Sequence, residues 1–337
     1  RPARRNGPAP GEGTYVRARG REARARGRTI RRMTMSRRGE GGERNCTSFA
    51  WQCLGIKEVS DLGVYRAAMA ELVGTALFLY FNVAALVFGS NPIFDPDAGD
   101  NLAVSLSFGL SYFVLSLVAS RVSGGHLNPA ISLGVFCTGG ITFYRLCLYT
   151  VSQLIGAVIG TAIVYSLTPS LFNLNGGGCT QLNFRVEGKL EVGWGCETLG
   201  TLLVVGTVLA CSDEKSRASA SQAALAPLAA GVAVFVVHVS SIPITGSSIN
   251  PARSFGPAVV AGCWLDQWVY WIGPYTGAFL AAFLHLLIYR TPAPAATKEE
   301  GVLSVGGLAS DGGFEVSGRR HPRDEPCADV ADCCDCC

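Results

Sequence analysis

The chain has 337 residues, of which 49% are apolar and only 16% are charged, and its mean hydropathy is +0.30. A soluble chain of this length carries about a quarter charged residues, so the composition argues against a soluble globular protein and favours one that spans a membrane several times. The formal net charge of +3 averages over unlike parts of the chain, because 14 of the 28 basic residues lie in the first 45 positions.

Residues 1–60 are predicted to form a disordered, Arg-rich N-terminal tail. Residues 1–45 contain 14 Arg against 4 Glu, with Gly, Pro and Ala between them and no apolar periodicity, so this part cannot bury a core. A solvated or processed tail is the favoured interpretation. Contact with an anionic lipid leaflet, targeting and nucleic-acid binding are the functional alternatives.

Six charge-poor segments follow, each near the length of about 20 residues that a membrane-spanning helix needs. They lie at residues 65–89, 102–121, 142–166, 194–212, 222–242 and 266–289. Buried helices of a large soluble protein are the alternative, and six such segments in one chain make it the weaker one. The sequence therefore predicts an all-α membrane domain over residues 61–290.

The two halves of this domain repeat each other, over about residues 62–167 and 193–290. The segment AELVGTALFLY, which contains Glu71, matches CETLGTLLVVG, which contains Glu197. Each half contains three spans, an odd number, so the halves must cross the membrane in opposite directions. An inverted repeat of this kind places a shared site near the middle of the bilayer.

An Asn-Pro-Ala motif follows the second span and recurs after the fifth. The two motifs consist of Asn128, Pro129 and Ala130, and of Asn250, Pro251 and Ala252. Each opens a segment, 129–138 or 251–262, that is too short to span and is predicted to be a re-entrant half-helix. Asparagine caps a helix and proline suits its first position, so both half-helices are expected to begin at the motif. Their N-termini, each carrying roughly +0.5 elementary charge, then meet in mid-membrane.

The backbone before each half-helix is predicted to line a polar path, because irregular backbone at membrane depth is tolerated only where it lines a cavity. The candidate pore carbonyls belong to Gly124, Gly125, His126, Gly246 and Ser248. A central water would accept hydrogen bonds from Asn128 and Asn250 and donate outward, while the positive helix ends repel cations. Glu71 and Glu197 are costly inside spans, so each is predicted to accept hydrogen bonds from the backbone leading into a motif.

The connections carry their charge unevenly, which predicts the orientation. The basic tail and the basic residues of the even-numbered connections fall on one side, whereas the first connection, GSNPIFDPDAGD, has three Asp and no base. The basic side is expected to be cytoplasmic, with both termini inside.

The cysteines predict neither a disulfide framework nor a metal site. Residues 291–337 are expected to be a second disordered tail, and its end, CADVADCCDCC, fits no zinc-site spacing. The other eight cysteines are scattered, mostly within or beside the apolar segments.

On these motifs the chain resembles an aquaporin of the major intrinsic protein family over about residues 62–290. It is most similar to plant and algal plasma membrane intrinsic proteins, with which it shares SGGHLNPA, VLACSDEKSR, AVFVVHVSSIPITG and INPARSFGPA. The resemblance implies six transmembrane helices plus two half-helices, a homotetramer with one pore per subunit, and a plasma-membrane location. Water as permeant and membrane lipid are the implied partners, with no cofactor, no metal and no nucleic acid.

The resemblance also implies a second, narrower constriction on the extracellular side. Carried over by position, its four residues are Phe108, His238, Ser247 and Arg253. Phe108 and His238 are expected to set the width, facing Arg253, and to leave space for water and little more. Ser254 stands where glycerol-conducting relatives have Asp, and the pair Tyr270–Trp271 is likewise typical of water-selective relatives.

The resulting hypothesis is a passive, water-selective channel driven by osmotic gradients, in which water moves in single file and protons and ions are excluded. Two alternatives stay open: a facilitator of small neutral solutes such as glycerol, hydrogen peroxide or carbon dioxide, and a structural junction protein with a vestigial pore. The plant relatives have Thr where this chain has Ser247, and a gating His where it has Gln222. An enzyme is not predicted, because no Ser-His-Asp, metal-ligand or phosphate-binding arrangement is present.

Overall fold

The computed structural model describes residues 53–89, 101–183, 189–212 and 220–289. The predicted C-terminal tail and residues 1–52 of the predicted N-terminal tail lie outside these ranges. The last residues of that N-terminal tail do not: Ile56–Ser60 form a 3-10 helix. Glu58 in this helix binds Arg145, with its Oε2 3.1 Å from the Arg145 Nε.

All regular structure in the described residues is helical. The α-helices are numbered in chain order as α1 (Leu62–Gly89), α2 (Asn101–Ala119), α3 (Pro129–Cys137), α4 (Phe143–Leu167), α5 (Pro169–Leu174), α6 (Leu190–Ser212), α7 (Ala220–Thr245), α8 (Pro251–Ala261) and α9 (Val269–Tyr289). A further 3-10 turn covers Gly176–Gly178.

The six predicted spans are confirmed as α1, α2, α4, α6, α7 and α9, which are all long and apolar enough to cross a membrane. Their ends differ from the predicted ones by a few residues. Helix α7 continues to Thr245, three residues beyond the predicted end, and its last turn includes Pro243. Helix α9 begins at Val269 instead of residue 266, since Asp266 has a left-handed backbone with φ 54°.

The inverted repeat is visible in how the spans pair. Helix α1 packs along α4 in the first half, and α6 packs along α9 in the second. A Cβ at Gly156 would collide with the carbonyl of Leu72, and one at Gly277 would collide with that of Thr198. Leu72 and Thr198 each follow one of the two equivalent glutamates, so these glycines are equivalent as well. Their missing side chains let the helix backbones approach closely, as small residues do in membrane bundles.

The two half-helices, α3 and α8, are exchanged between the repeats. Helix α3 packs against α9, the last span of the second half, and α8 packs against α4, the last span of the first. A Cβ at Gly256 of α8 would meet the Ala157 carbonyl oxygen at 2.6 Å. Neither half therefore completes its own structure without the other.

Burial runs opposite to that of a soluble protein. The outer faces carry large exposed apolar side chains such as Leu110, Phe283 and Leu287. Acidic, amide and hydroxyl groups, by contrast, lie fully buried along the centre. In a bilayer this arrangement places apolar groups in lipid and collects the polar groups on the bundle axis, where the half-helices meet.

Candidate functional site

The two Asn-Pro-Ala motifs begin α3 and α8 in the way that their residues favour. Asn128 Oδ1 accepts a hydrogen bond from the Ala130 N–H at 2.8 Å, and Asn250 Oδ1 accepts one from the Ala252 N–H at 3.0 Å. Both asparagines are extended N-caps, and a proline occupies the first turn of each helix. Each amide oxygen thus satisfies a free N–H of its own helix, which leaves the amide nitrogen to point elsewhere.

The amide nitrogens tie the two motifs to each other. Asn128 Nδ2 donates to the carbonyl of Ile249 at 2.8 Å, and Asn250 Nδ2 donates to the carbonyl of Leu127 at 2.9 Å. These two hydrogen bonds join residues more than 120 positions apart and bring the N-termini of α3 and α8 together. An amide NH₂ has two hydrogens, so each asparagine keeps one donor for a ligand at this point.

Glu71 holds the loop that leads into the first motif. Its carboxylate accepts hydrogen bonds from the backbone N–H of His126 at 2.9 Å and of Leu127 at 2.6 Å. The Ser123 hydroxyl and the Gln153 amide also donate to it, at 2.6 and 2.7 Å. The predicted backbone contacts of Glu71 are therefore present, and four donors surround a fully buried carboxylate.

Glu197 repeats the arrangement in the second half. It accepts hydrogen bonds from the backbone N–H of Ser248 at 2.9 Å and of Ile249 at 2.6 Å. The Thr245 hydroxyl donates to it at 2.7 Å. Hydrogen bonds to an ionised acceptor are roughly twice as strong as neutral ones, so these carboxylates can fix a backbone that would otherwise relax.

The fixed backbone is strained next to both motifs. Leu127 and Ile249, the residues before the asparagines, have φ values of 51° and 48°, and Ser247 has 51°. A β-branched or bulky residue is rarely found in this left-handed region. The strain turns the carbonyls of Leu127 and Ile249 toward the opposite asparagine, and it persists because the glutamates hold the neighbouring N–H groups.

The sequence interpretation missed a set of side chains that supports both loops. Tyr149 donates its hydroxyl to the Ser123 carbonyl at 3.0 Å, and Tyr270 donates to the Thr245 carbonyl at 2.9 Å. Ser123 and Thr245 each stand five residues before a motif asparagine. Aligning the motifs would have revealed this shared hydroxyl position, and aligning Gly156 with Gly277 would have paired the tyrosines.

A cavity of about 330 Å³ opens beside the first motif. It is lined by Gly124, Gly125 and His126, which supply three of the predicted pore carbonyls. The Ser116 hydroxyl donates to the Gly125 carbonyl at 2.9 Å, and the Tyr112 hydroxyl donates to that of His126 at 3.0 Å. Each carbonyl oxygen has a second lone pair, so these contacts orient the carbonyls without using them up.

The second predicted carbonyl stretch is less open. A Cβ on Gly246 would meet the backbone nitrogen of Gln181 at 3.2 Å, so this glycine lies against the connection that precedes α6. The Ser248 hydroxyl donates to the carbonyl of Asn250 at 2.9 Å and accepts from the Ser254 hydroxyl at 2.6 Å. Gly246 thus lies against the connection before α6, and Ser248 lies against the start of α8.

Three residues of the predicted constriction are in contact, Phe108 with His238 and Phe108 with Arg253, and the fourth, Ser247, is buried in the second loop. Phe108, His238, Ser247 and Arg253 are each at most 1% exposed. Arg253 Nη1 donates to the carbonyl of Gly178 at 2.7 Å, and its Cζ lies 5.1 Å from the centre of the Phe108 ring. The Arg253 Nε has no hydrogen-bond partner among the described residues. A buried cationic donor without a partner indicates a place where a small polar ligand fits.

His238 presents an acceptor beside this donor. Its Nδ1 lies 2.8 Å from the carbonyl of Val234, and since a carbonyl can only accept, Nδ1 carries the hydrogen. The Nε2 is therefore an acceptor in the neutral ring, and it is unpaired within the part of the chain that the structure describes. Ser247 receives a hydrogen bond from Ser241 at 2.8 Å. The constriction thus offers a donor from Arg253 and an acceptor from His238.

The rings of Phe108 and His238 contact each other directly. Their ring centres are 4.0 Å apart with an interplanar angle of 26°, which is a stacked contact. A water molecule between two rings needs a separation of about 6–7 Å. Stacking is favoured because both rings are fully buried and Phe108 also packs edge-on against Phe78. Any path past this pair runs along Arg253, or requires one ring to turn.

The expectation of no disulfide framework is wrong for one pair of cysteines. Cys179, in the connection after α5, is bonded to Cys263, which follows α8. The described free cysteines are Cys53, Cys137, Cys147, Cys196 and Cys211. Eighty-four positions separate the bonded pair, so only the folded chain shows that they are neighbours. A signal was present nonetheless, since both cysteines follow a glycine in connections assigned to the extracellular side.

The sequence of the chain is similar to that of known proteins. A family described as Major intrinsic protein matches residues 58–285. The chain is 38% identical over 250 residues to aquaporin PIP2-5 of Oryza sativa subsp. japonica, covering 71% of this chain and 88% of that protein. It is 39% identical over 245 residues to aquaporin PIP2-1 of Arabidopsis thaliana, covering 69% and 84%.

The fold has a counterpart among solved structures. The X-ray structure of the aquaglyceroporin from Plasmodium falciparum superimposes with a TM-score of 0.59 and 23% sequence identity. The match covers 67% of this chain and 97% of that one. At this identity the likeness concerns the arrangement of helices, which is the six-span, two-half-helix architecture described above.

Proposed function

Because the chain belongs to the major intrinsic protein family, we propose that it is a passive channel selective for water and driven by osmotic gradients. In this proposal water passes in single file, protons and ions are excluded, and four copies assemble with one pore each in the plasma membrane. The observation that carries the proposal is the pair Asn128 and Asn250, each of which keeps one amide hydrogen free at the junction of α3 and α8.

These two donors explain how water could pass while protons do not. A water at the junction accepts from both asparagines through its oxygen, so its own hydrogens point away along the path. Hydrogen bonds on the two sides then run in opposite directions, and a proton cannot hop through the centre. The N-termini of the half-helices add roughly +0.5 elementary charge each, which repels hydronium and other cations.

The polar groups of the constriction at Arg253 favour the passage of water over that of ions. A passing water can accept from the Arg253 Nε and donate to the His238 Nε2, the two unpaired groups found there. A buried guanidinium repels cations, and an ion that entered would lose its hydration without gaining an equivalent shell.

Contact between the Phe108 and His238 rings supports selection by size. The stacked rings form one closed wall of the constriction, with the Arg253 guanidinium against the Phe108 ring. A path along this wall is narrow, and a water molecule fits it more easily than a polyol does. This favours water over glycerol as the permeant.

The disulfide supports the proposed orientation with both termini in the cytoplasm. Disulfides persist in oxidising compartments, and Cys179 and Cys263 lie in connections on the side opposite to the start of α1. The free cysteines at or near the other end of the bundle are Cys53, Cys137, Cys147 and Cys211. The bonded pair lies on the side proposed as extracellular, and four of the five described free cysteines lie toward the opposite, cytoplasmic side.

Stopped-flow light scattering on proteoliposomes tests the proposal. We expect fast shrinkage under a sucrose gradient with a low activation energy, and no glycerol permeation above that of empty liposomes. Arg253→Ala should retain water flux and raise glycerol permeability by on the order of tenfold, because removing the guanidinium widens the constriction; a tenfold rise corresponds to a barrier lower by about 1.4 kcal/mol. Arg66→Ala, an exposed arginine of α1, is the matched control and should behave as wild type.

Two results would contradict the proposal in different ways. Water flux no faster than that of empty liposomes would mean a closed or vestigial pore and would favour a structural role. Rapid glycerol entry through the wild-type protein would mean that the Phe108–His238 contact does not limit the width.

A further inference from the structure

The disulfide lies one residue away from the only described hydrogen-bond acceptor of the Arg253 side chain. Gly178, whose carbonyl receives the Arg253 Nη1 at 2.7 Å, is followed directly by Cys179. Its partner Cys263 follows Gly262, the C-cap of α8, the helix that carries Arg253 near its start. The bond therefore joins the connection that holds the guanidinium to the helix that supplies it.

That connection has little stiffness of its own. Gly176, Gly177 and Gly178 are all left-handed, with φ values of 70°, 62° and 74°. Glycine adopts such angles without steric cost and also leaves them readily, so three in a row make a permissive backbone. A Cβ on Gly177 would meet the Ala261 Cβ at 2.7 Å, which shows that the glycine turn is pressed directly against α8.

Side-chain hydrogen bonds fix the ends of the connection, while the glycine turn itself is held by packing against Phe172, Val83 and Ala261. Asn175 donates its side-chain amide to the Val87 carbonyl at 2.6 Å on one side. On the other side the Thr180 hydroxyl donates to the Ser254 hydroxyl at 2.9 Å. Among the described residues, the Cys179–Cys263 bond is the covalent link that holds the turn at the depth of Arg253.

We propose that the Cys179–Cys263 disulfide is a positioning element of the selectivity constriction: it holds the Gly178 carbonyl where it orients Arg253. This inference rests on the proposed function, because it assigns a role in filtering to a bond outside the pore. When the bond is absent the glycine turn moves off α8, the Arg253 guanidinium loses its carbonyl, and its contact with the Phe108 ring loosens. Small polar solutes then pass together with water.

The test uses the full chain in proteoliposomes and measures urea and water permeability before and after reduction. Tris(2-carboxyethyl)phosphine is the reductant: the phosphine is oxidised to its oxide with oxygen from water, and the sulfurs leave as two thiols. Maleimide labelling of Cys179 and Cys263 verifies that the bond has opened. We expect urea permeability to rise by on the order of tenfold, because the loosened guanidinium no longer narrows the constriction, with water flux changed by less than twofold; the tenfold rise corresponds to a barrier lower by about 1.4 kcal/mol.

Three variants distinguish positioning of Arg253 by the disulfide from a general loosening of the protein on reduction. Cys179→Ala/Cys263→Ala should show the raised urea permeability without reductant and no further response to it. Cys147→Ala, an exposed free cysteine on α4, should respond to reductant as wild type does. In an Arg253→Ala background reduction should add nothing, because the group that the bond positions is already gone.

The possible failures are distinguishable. Unchanged urea permeability after verified reduction would overturn the role of the disulfide and leave the water channel standing. An equal rise in the Arg253→Ala background would also overturn it, since the effect would not pass through the arginine. Absence of water flux in the oxidised wild type would instead refute the proposed function on which this inference depends. If the double-alanine variant fails to fold, reduction of the folded wild type still decides the matter.

Discussion

Replacing Glu71 by Gln tests whether the buried carboxylates hold the two motifs in place. The side chain keeps its shape, but one of its two oxygens becomes an NH₂ group. Oε1 accepts from His126 N–H and Oε2 accepts from Leu127 N–H, so either amide orientation leaves one buried backbone donor facing another donor. Ser123 and Gln153 can reorient to suit an amide, whereas the backbone cannot.

The magnitude follows from these contacts. A buried donor left unsatisfied costs about 1–3 kcal/mol, and the hydrogen bonds that remain lose their charge assistance, about 1–2 kcal/mol in sum. We therefore expect Glu71→Gln to lower the free energy of unfolding by about 2–5 kcal/mol. At about 2–4 °C per kcal/mol for a domain of this size, the Tm should fall by roughly 4–20 °C. Water permeability should fall with it, because the released loop carries Asn128.

Glu58→Gln is the matched control, since the same substitution is made at a carboxylate that is 24% exposed and paired with Arg145. Partly exposed ion pairs contribute about 0–1 kcal/mol, so its Tm should stay within a few degrees of wild type. Intrinsic tryptophan fluorescence during heating in detergent gives the Tm, and stopped-flow light scattering gives the permeability. Equal Tm values and equal water permeability for the two variants would refute the reasoning about Glu71.

Three further substitutions follow from the packing. His238→Ala removes the ring that stacks on Phe108 and should raise glycerol permeability at least about tenfold in a swelling assay. The control is Val236→Ala, on the exposed side of the same helix, which should leave glycerol permeability unchanged. Gly156→Ala forces a Cβ into the Leu72 carbonyl and should lower the Tm by roughly 5 °C or more, or abolish folding. The control is Gly206→Ala, which adds a Cβ in open space and should leave the Tm unchanged or raise it slightly in the same melting experiment. Thr75→Val replaces a fully buried hydroxyl that has no described partner by a methyl group of the same size, and its Tm should not fall, because no hydrogen bond is lost.

Features with a local cause were predictable from sequence. Asparagine followed by proline specifies a helix start by its own chemistry, so the half-helices were placed to within a residue at both ends. A glutamate inside an apolar segment has to find donors, and its repetition in both halves pointed to the nearest free backbone, the loops before the motifs. These conclusions needed only neighbouring residues and the periodicity of the chain.

Features that depend on side-chain placement across distant segments were not predictable. Phe108 and His238 lie 130 positions apart on α2 and α7, and whether their rings face each other or stack depends on rotamers that no local pattern fixes. The disulfide joins two single cysteines whose proximity exists only once α8 has docked. The supporting pair Tyr149 and Tyr270 could be matched only through an alignment of Gly156 with Gly277, and their bonds to the two loops appear only in the folded chain.

The exchange of half-helices between the repeats has a consequence for biosynthesis. Helix α3 is made early, yet the surface that receives it, α9, is the last of the six described spans to be made. At roughly 5–20 residues per second, α3 waits on the order of ten seconds for that surface. During this interval Asn128 lacks the Ile249 carbonyl that it binds in the finished molecule. We therefore expect insertion of the described spans and assembly of the pore to be separate events, with the polar loop before α3 lacking its partner between them.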